Sequence, residues 1–166
     1  GVRHFIIHAR KAWLRGLSPK ENREIPPLDY DLVLRMKAEF PHLTICINGG
    51  VTTLVQTKML LDQGLDGVMI GRAAYHDPAS VLIGADALWG EDYAPNPHAV
   101  VEAMKPYITA HLEAGGRVHQ ITRHMLGLFT GRPGARGWRR VLSEGANKPG
   151  AGLALLDQAA GLLEGR

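Results

Sequence analysis

Two glycine corners follow apolar runs of the sequence at points where a helix is expected to begin, and their residue types suit an anion. The first corner is Asn48-Gly49-Gly50 and the second is Gly71-Arg72. Glycine lets the backbone approach a ligand closely and adopt dihedral angles closed to other residues, while the first turn of a helix offers unpaired N–H groups. The guanidinium of Arg72 adds donors in a fork that fits phosphate oxygens. The two corners therefore predict a phosphate site, although glycines at such positions also serve simply to make tight turns.

Two other side chains on the same strands are candidates for chemistry. Alternation along a strand places Ile6 and His8 on one face, so His8 is expected at the mouth of any barrel that this face lines. A histidine at a strand end also commonly acts as a structural hydrogen-bond partner, and that alternative stays open. Cys46 shares a face with Asn48 but lies two residues deeper, which predicts a packed core residue. We assign no catalytic residue and no metal site to the chain.

A succession of strand, loop and helix that occurs three times must position these residues. Strands are predicted at 4–8, 43–47 and 67–70, and each is followed by a helix, the last of them short and near 73–76. The strands are apolar enough to be buried on both faces, which is typical of parallel α/β structure. TIM barrels bind phosphate in the loops after strands 7 and 8. The apolar residues expected on the inner faces of the first two helices are Leu32, Val33, Met36, Leu54, Val55, Met59, Leu60 and Leu61.

A long basic loop, 9–29, joins the first strand to the first helix. A structureless loop of about 20 residues in a compact domain is usually functional or disordered. Trp13 and Leu14 are expected to anchor this loop to the body of the domain. On a barrel it would lie at the end where active sites are built. The basic side chains expected to face outward are Arg10, Lys11, Arg15, Lys20 and Arg23.

After residue 77 the sequence predicts helices only. Residues 79–90 and 94–97 are expected to form a connector. An apolar residue at every fourth position predicts an amphipathic helix over 97–114, kinked at Pro106. Further helices are expected over 117–130, from Pro133 onward, and along an apolar stripe that ends at Leu162. The predicted fold class is therefore α/β plus all-α, with an α/β domain at 1–90 and a small helical bundle at 95–166.

Basic residues are concentrated in two separated segments, although the formal net charge is only +3. Residues 1–24 hold six Lys or Arg against two acidic residues, and residues 117–140 hold six Arg and no acidic residue. Arg136 and Arg139 stand three apart, so they project from one helix face, and Trp138 is placed to pack behind them. This distribution favours a polyanionic partner, nucleic acid above all. The alternative is a basic face that is merely solvated.

Composition narrows the class of protein further. The chain has 166 residues, of which 45% are hydrophobic and 21% charged, as in ordinary soluble globular proteins. No apolar run approaches the roughly 20 residues of a membrane span, and no export leader is recognised. The lone Cys46 excludes an internal disulfide and suits the cytoplasm. Because a strand begins almost at residue 1, we expect the chain to be the carboxyl-terminal part of something longer.

Several long motifs resemble the tRNA-dihydrouridine synthases, and most closely the A-type subgroup of that family. The likeness extends through nearly the whole chain. In the first half it rests on FIIHARKAWL (5–14), GLSPKENREIPPL (16–28), INGG (47–50), DGVM (66–69) and GR (71–72). In the second half, ITRHMLGLF (121–129) and PGARGWRR (133–140) resemble the helical tRNA-binding domain of the subgroup.

The resemblance implies an FMN-binding TIM barrel, followed by a helical domain, that reduces uridines of tRNA to dihydrouridine with NADPH as electron source. By their place in the motifs, the residues expected to contact FMN are His8, Asn48, Gly49, Gly50, Gly71 and Arg72. Those expected to contact tRNA are Lys20, Arg23, Arg136 and Arg139. The chemistry implied is hydride transfer from reduced flavin to a base held out of its stack, with a cysteine protonating the other carbon.

By the same resemblance, the catalytic cysteine and a flavin-contacting lysine belong to earlier strands, before residue 1. Only about the last three barrel strands are then present, and three βα units cannot close an eight-stranded barrel. We therefore expect the chain alone to bind FMN poorly, to lack synthase activity, and to associate through its exposed sheet edges. Two alternatives are a non-catalytic RNA-binding helical module and another FMN barrel oxidoreductase, the second of which leaves the arginine-rich helices unexplained.

Overall fold

A computed structural model describes residues 1–13 and 15–163. Two compact units follow one another along the chain, Gly1–Ala73 and a second that begins at Ala74. This division falls earlier than the boundary at residue 90 that the sequence predicts, because residues 74–90 pack with the second unit. Each unit has its own hydrophobic core. The anchoring role expected of Leu14 lies outside the described residues.

The first unit contains a parallel three-stranded sheet. Its strands are β1 (His4–His8), β2 (Thr44–Asn48) and β3 (Gly67–Met69), in the order β1-β2-β3. The register pairs His8 with Asn48 and Asn48 with Met69, so the carboxyl ends of all three strands meet at one edge. The predicted parallel α/β pattern is confirmed, with strand limits that differ from the prediction by one residue at most.

Short capping interactions explain where the helices of this unit begin. Helix α1 (Tyr30–Glu39) starts where the Asp29 side chain accepts a hydrogen bond from the Leu32 N–H. Helix α2 (Leu54–Asp62) starts in the same way at Thr53, whose hydroxyl accepts from the Gln56 N–H. Such caps satisfy N–H groups that the helix itself cannot pair. The short helix α3 (Arg72–His76) begins directly after the second glycine corner.

The two faces of the sheet differ in burial. Ile45, Ile47 and Val68 belong to the core that the sheet shares with Val33 of α1 and Leu60 of α2. On the other face Ile6 is 63% exposed and Met69 is 48% exposed. Cys46 lies on this second face and is only half-buried, so the prediction of a packed core residue is wrong. The cause is that the described residues place no second layer over this face.

Three apolar side chains that we expected on the inner helix faces are exposed. They are Leu32 of α1 together with Val55 and Met59 of α2, and Val55 is 71% exposed. A helix that packs on only three strands buries a narrow stripe of its surface. The stripe of α1 is centred on Val33, and that of α2 on Thr57 and Leu60. The remaining apolar positions therefore face outward.

A polar cluster ties the amino-terminal ends of the strands to α1. The Asp66 carboxylate, just before β3, accepts from the Ile45 N–H at 2.7 Å and from the Lys37 ammonium at 2.7 Å. Lys37 donates in addition to the Leu43 carbonyl at 2.9 Å. Hydrogen bonds from Lys37 and Ile45 lower the pKa of Asp66. The carboxylate thus holds three parts of the unit in register.

The second unit consists of helices joined by turns and loops in its described part. Its helices are α4 (Pro78–Leu82), α5 (Pro97–Glu113), α6 (His119–Thr122), α7 (Ala135–Gly145) and α8 (Leu153–Gly161), with a 3-10 turn at Ala85–Trp89. Trp138, Phe129 and Ile108 are fully buried in its core. Lys105 pairs with Asp157 at 2.8 Å and so links α5 to α8. No helix in the described ranges is long and apolar enough to cross a membrane.

The segments between these helices differ from the prediction. Residues 79–90 form most of α4 and the 3-10 turn rather than a plain connector. Of the helix expected over 117–130, only α6 is α-helical, and successive turns replace the rest, for example Leu128 N–H to Met125 carbonyl. Gly127 lies in these turns, and its lack of a Cβ lets the chain pass close to the His76 carbonyl. Leu162 follows α8 and is exposed, contrary to the prediction.

Replacing Asp66 with asparagine tests the polar cluster. A carboxyl whose folded pKa is lowered contributes stability above its unfolded pKa, and that stability is lost as the pH falls through the folded value. We expect Asp66→Asn to lower the free energy of unfolding at pH 7 by about 0.5–1 kcal/mol, since solvent partly screens the pair. The difference from wild type should shrink below pH 4, in denaturant titrations of a protein that contains this chain.

Asp62→Asn is the matched control for this test. Asp62 pairs with Lys58 on the surface of α2, where the two side chains are 62% and 64% exposed. An exposed pair of this kind contributes little, so the control should change stability by less than about 0.5 kcal/mol. An equal effect of both substitutions, or a loss for Asp66→Asn that does not vary with pH, would contradict our account of the cluster.

Candidate functional site

A chain of hydrogen bonds crosses the carboxyl ends of the three strands. The Asn48 amide Nδ2 donates to the Met69 carbonyl at 2.9 Å, and its Oδ1 lies 2.8 Å from Nδ1 of His8. A carbonyl only accepts, so the amide must point its oxygen toward His8, and His8 Nδ1 must carry the proton. Nε2 of His8, on an exposed side chain, is then left as an acceptor in the neutral ring. The structure therefore brings together two of the residues that the motifs single out.

The first corner requires glycine at both positions. Gly49 and Gly50 have φ angles of 115° and 72°, a region that favours glycine. A Cβ on Gly50 would collide with the Leu28 side chain, and one on Gly49 would lie 3.2 Å from Cε1 of His8. The hydroxyl of Tyr30 donates to the Gly49 carbonyl at 2.7 Å. The first corner thus packs against residues of the long loop and of α1.

Tyr30 and Leu28 escaped the sequence reasoning. Partial burial raises the pKa of Tyr30, so its phenol stays protonated and remains a donor at neutral pH. Leu28 ends the motif at 16–28, but nothing in the sequence marks its contact, or that of Tyr30, with the first glycine corner much further along the chain. The adjacent Pro26 and Pro27 restrict the backbone just before α1. This restriction is the feature of the sequence that could have indicated a fixed position for Leu28 and Tyr30.

The second corner differs from the first. Gly71 does not have a positive φ angle, so the expectation that it needs a glycine-only conformation is wrong. A Cβ on Gly71 would meet no atom within 4 Å, which means that the space above this corner is open. Asn48 of β2 pairs with Met69 of β3, so the two corners follow neighbouring strands. Gly49 lies one residue and Gly71 two residues beyond these paired positions. Gly71 therefore contributes open space for a ligand rather than an unusual conformation.

Arg72 is held by an acidic residue that the sequence reasoning missed. Its Nη1 donates to Oε1 of Glu24 at 2.6 Å, and its Nη2 lies 3.5 Å from the Arg23 carbonyl. Both side chains of the ion pair are about half exposed. The guanidinium keeps further N–H donors beyond those engaged here, because an arginine has five. An anion that reaches Arg72 would share the guanidinium with Glu24 or displace its carboxylate.

The long loop 9–29 is ordered by bonds within itself. The Asn22 amide accepts from the Trp13 N–H at 2.7 Å and donates to the Trp13 carbonyl at 3.0 Å. Arg10 donates to the carbonyls of Glu24 and Pro26, so it points inward and the prediction that it faces outward is wrong. The backbone of Trp13 is held, whereas its ring is exposed. These bonds stabilise a defined loop conformation.

Lys20 and Arg23 occupy the exposed turn of this loop. Lys20 precedes the 3-10 turn Glu21–Arg23 and Arg23 ends it, and the turn is fixed by the Ser18 N–H donating to the Glu21 carboxylate at 2.7 Å. Hydrogen bonds from Ser18 lower the pKa of Glu21. Both basic side chains therefore extend from a structured turn into solvent.

The second unit presents its own basic face on α7. Arg136 and Arg139 are exposed, and Trp138 between them is fully buried, as the sequence predicts for this helix. The Trp138 indole donates to the Met125 carbonyl at 3.1 Å and packs edge to face on Phe129, with ring centroids 4.9 Å apart. The buried indole fixes the rotation of α7 about its axis. The arginines are consequently kept on the outer side.

Comparison with known proteins bears on the same residues. The family model described as dihydrouridine synthase matches residues 1–162. A protein of Shewanella oneidensis named tRNA-dihydrouridine(20/20a) synthase is 58% identical over 160 residues, which cover 96% of this chain and 48% of that protein. Proteins with the same name from Salmonella typhimurium and Escherichia coli K12 are 57% and 56% identical over 156 residues.

The chain spans about half the length of the curated relatives it matches. The match nevertheless extends from the first residue through α8, so both units take part in it. The chain therefore belongs to the dihydrouridine synthase family, which confirms the resemblance to the A-type enzymes that its motifs predict.

Proposed function

We propose that this chain forms part of a flavin-dependent tRNA-dihydrouridine synthase, which reduces uridine to dihydrouridine in tRNA with NADPH. The observation that carries the proposal is the meeting of His8, Asn48, the two glycine corners and Arg72 at one edge of the sheet. The relatives named above support the substrate. In this proposal the sheet is the last part of a TIM barrel, the helices form a tRNA-binding bundle, and the protein acts in the cytoplasm.

The residues at the sheet edge fit FMN. Its phosphate needs a close backbone approach and positive charge, which the left-handed Gly49-Gly50 corner, the open space at Gly71 and the guanidinium of Arg72 offer. The flavin ring needs hydrogen-bonding partners of fixed polarity, and the His8 and Asn48 side chains have fixed orientations. When bound, reduced FMN supplies a hydride to one carbon of the uracil double bond.

The contributions of this chain to the reaction are then binding and orientation. Asn48 fixes the tautomer of His8 and thereby presents Nε2 as an acceptor. Tyr30 donates to the Gly49 carbonyl and keeps this oxygen turned into the body of the unit, away from the ligand. Arg72 holds the phosphate while Glu24 limits the excess charge when no ligand is bound. The proton for the second uracil carbon comes, by the family resemblance, from a cysteine outside this chain.

The tRNA is proposed to contact Lys20 and Arg23 on the loop and Arg136 and Arg139 on α7. All four side chains are exposed, and each pair stands on a structured turn or helix. Arginine binds phosphate through two parallel hydrogen bonds and remains charged at any physiological pH. These features suit contacts to the RNA backbone, which position the substrate while a base is drawn out of its stack.

The isolated 166-residue chain should not hold flavin. The sheet of the described residues ends at β1 on one side and at β3 on the other, and an eight-stranded barrel needs the remaining strands to enclose a ligand. We expect the purified chain to be colourless, to associate with itself, and to show no saturable quenching of FMN fluorescence at micromolar concentration. Stoichiometric flavin binding, or dihydrouridine formation by the chain alone, would refute this expectation.

Arg72 should discriminate FMN from riboflavin, which lacks the phosphate. In a full-length protein that carries this chain, we expect Arg72→Ala to weaken FMN binding by about 10- to 100-fold, the contribution typical of a charge-assisted contact. Riboflavin affinity should change by less than threefold. Arg35→Ala, which removes an exposed arginine of α1, is the control and should leave both affinities unaltered. Equal losses for the two flavins would show that Arg72 does not bind the phosphate.

Arg136→Ala combined with Arg139→Ala tests the tRNA contact. The double variant should bind tRNA more weakly than wild type and with a flatter dependence on salt, because fewer counterions are released when fewer phosphates are contacted. Electrophoretic or filter binding at several salt concentrations measures both quantities. Unchanged affinity at low salt would contradict the role in tRNA binding, while tRNA binding by a full-length protein that holds no flavin would favour a non-catalytic RNA-binding module.

A further inference from the structure

A basic groove lies beside the start of α7. It encloses about 560 Å³, and its charged lining side chains among the described residues are Arg132, Arg136 and Arg140. The three arginines follow one another at intervals of four residues, so Arg136 and Arg140 share one face of the helix. Arg139, which the motifs pair with Arg136, does not line this groove.

Glycines at the start of α7 shape the groove. A Cβ on Gly134 would collide with the Leu162 carbonyl, and one on Gly137 would lie 3.0 Å from Cδ1 of Leu162. Gly134 has a φ angle of 78°, which favours glycine for a second reason. The absence of side chains at these two positions lets the end of α8 approach the start of α7. The groove is therefore a product of the fold and not a gap between mobile side chains.

The chemistry of the lining favours a phosphate backbone over a base. All three arginines are exposed, and none takes part in an ion pair within the part of the chain that the structure describes. The described lining contains no carboxylate and no aromatic ring, its other members being Pro, Gly, Ala and Leu. Recognition of unstacked bases combines stacking on aromatic rings or guanidinium planes with donors and acceptors that read the base edges, and this lining, as far as the structure describes it, offers neither an aromatic ring nor a side-chain acceptor. Three guanidinium groups in such a lining suit phosphate oxygens, and contacts to phosphate carry no sequence information.

We propose that Arg132, Arg136 and Arg140 bind consecutive phosphates of the RNA backbone, independently of base sequence. This inference rests on the proposed function, since it takes the RNA to be the substrate tRNA. Arg136 and Arg140 are separated by about 6 Å along the helix axis, so both can reach neighbouring phosphates of one strand. Arg139 flanks Arg136 on the other side, and Arg136 is thus shared between the contact expected from the motifs and the groove.

The test uses Arg132→Gln with Arg140→Gln in a full-length protein that carries this chain. Binding is measured with a tRNA transcript and with the same transcript after its uridines in the dihydrouridine loop are replaced by cytidine. We expect about tenfold weaker binding of both RNAs at low salt. The slope of log K against log salt should become smaller by about 1.4–1.8, which corresponds to two lost phosphate contacts.

Two control variants keep the outcome interpretable. Arg35→Gln removes the same kind of charge from α1 and should leave affinity and slope unaltered. Arg132→Lys with Arg140→Lys keeps the positive charges and should retain most of the salt slope, even if the glutamine variant fails to fold. A lysine variant that loses the slope as fully as the glutamine variant would contradict phosphate binding by charge.

The outcomes separate this inference from the proposed function. If wild-type protein does not bind tRNA, both fail. A second outcome is that wild type binds tRNA and Arg136→Ala with Arg139→Ala weakens binding, but Arg132→Gln with Arg140→Gln does not. The groove is then excluded as a phosphate site, and the proposed function stands. A loss confined to the transcript with its uridines intact would overturn the inference as well, because it would show that the groove reads bases.

Discussion

The side-chain amide of Asn48 is the interaction on which the candidate site depends. It joins β1 to β3 across β2, by accepting from His8 and donating to the Met69 carbonyl. Each bond contributes only about 1 kcal/mol net, so the importance of the amide lies in alignment more than in stability. Because one group engages both neighbours, the ends of the three strands cannot shift independently. The glycine corners that follow β2 and β3 are therefore held at a fixed separation.

The opposite ends of the strands are fixed by a different device. There the Asp66 carboxylate bonds to the backbone of β2 and to a lysine of α1, and the Asp66 N–H donates to the Ile45 carbonyl at 3.1 Å. The first unit thus has one end fixed by an ion pair with backbone partners, while the other end carries the candidate site, which combines neutral side chains and glycine with the Arg72–Glu24 pair. Parallel sheets commonly divide stability and function between their two ends in this way.

Local patterns in the sequence predicted the strands and most helices well, but they predicted poorly which residues these elements bury or contact. The strand limits follow from short-range preferences, which a sequence displays directly. The failures at Val55, Met59 and Cys46 share one cause, since burial depends on how many layers cover an element and not on its own periodicity. The turns after α6 bring Gly127 close to the distant His76 carbonyl, a contact that no local pattern displays.

The sequence indicated which residues are candidates for the site, but not the contacts that they make with one another. Residues on the motifs, such as His8 and Asn48, were found because strand alternation and glycine corners are visible in one dimension. Glu24 and Tyr30 were missed because their contacts join the loop and α1 to corners far along the chain. The groove beside α7 was missed because it depends on the approach of α8 across two glycines.

The ion pair between Glu24 and Arg72 has a thermodynamic consequence. Glu24 belongs to the same short turn as Lys20 and Arg23, so the energy of that turn includes the attraction to Arg72. An anion that displaces the carboxylate from the guanidinium would remove this attraction and leave the turn held by its own hydrogen bonds. Linkage is reciprocal, so a contact that fixes the turn with Glu24 on Arg72 would lower the affinity of Arg72 for that anion by the same factor. Anion binding at Arg72 and the conformation of the turn would therefore be coupled through one pair of opposite charges.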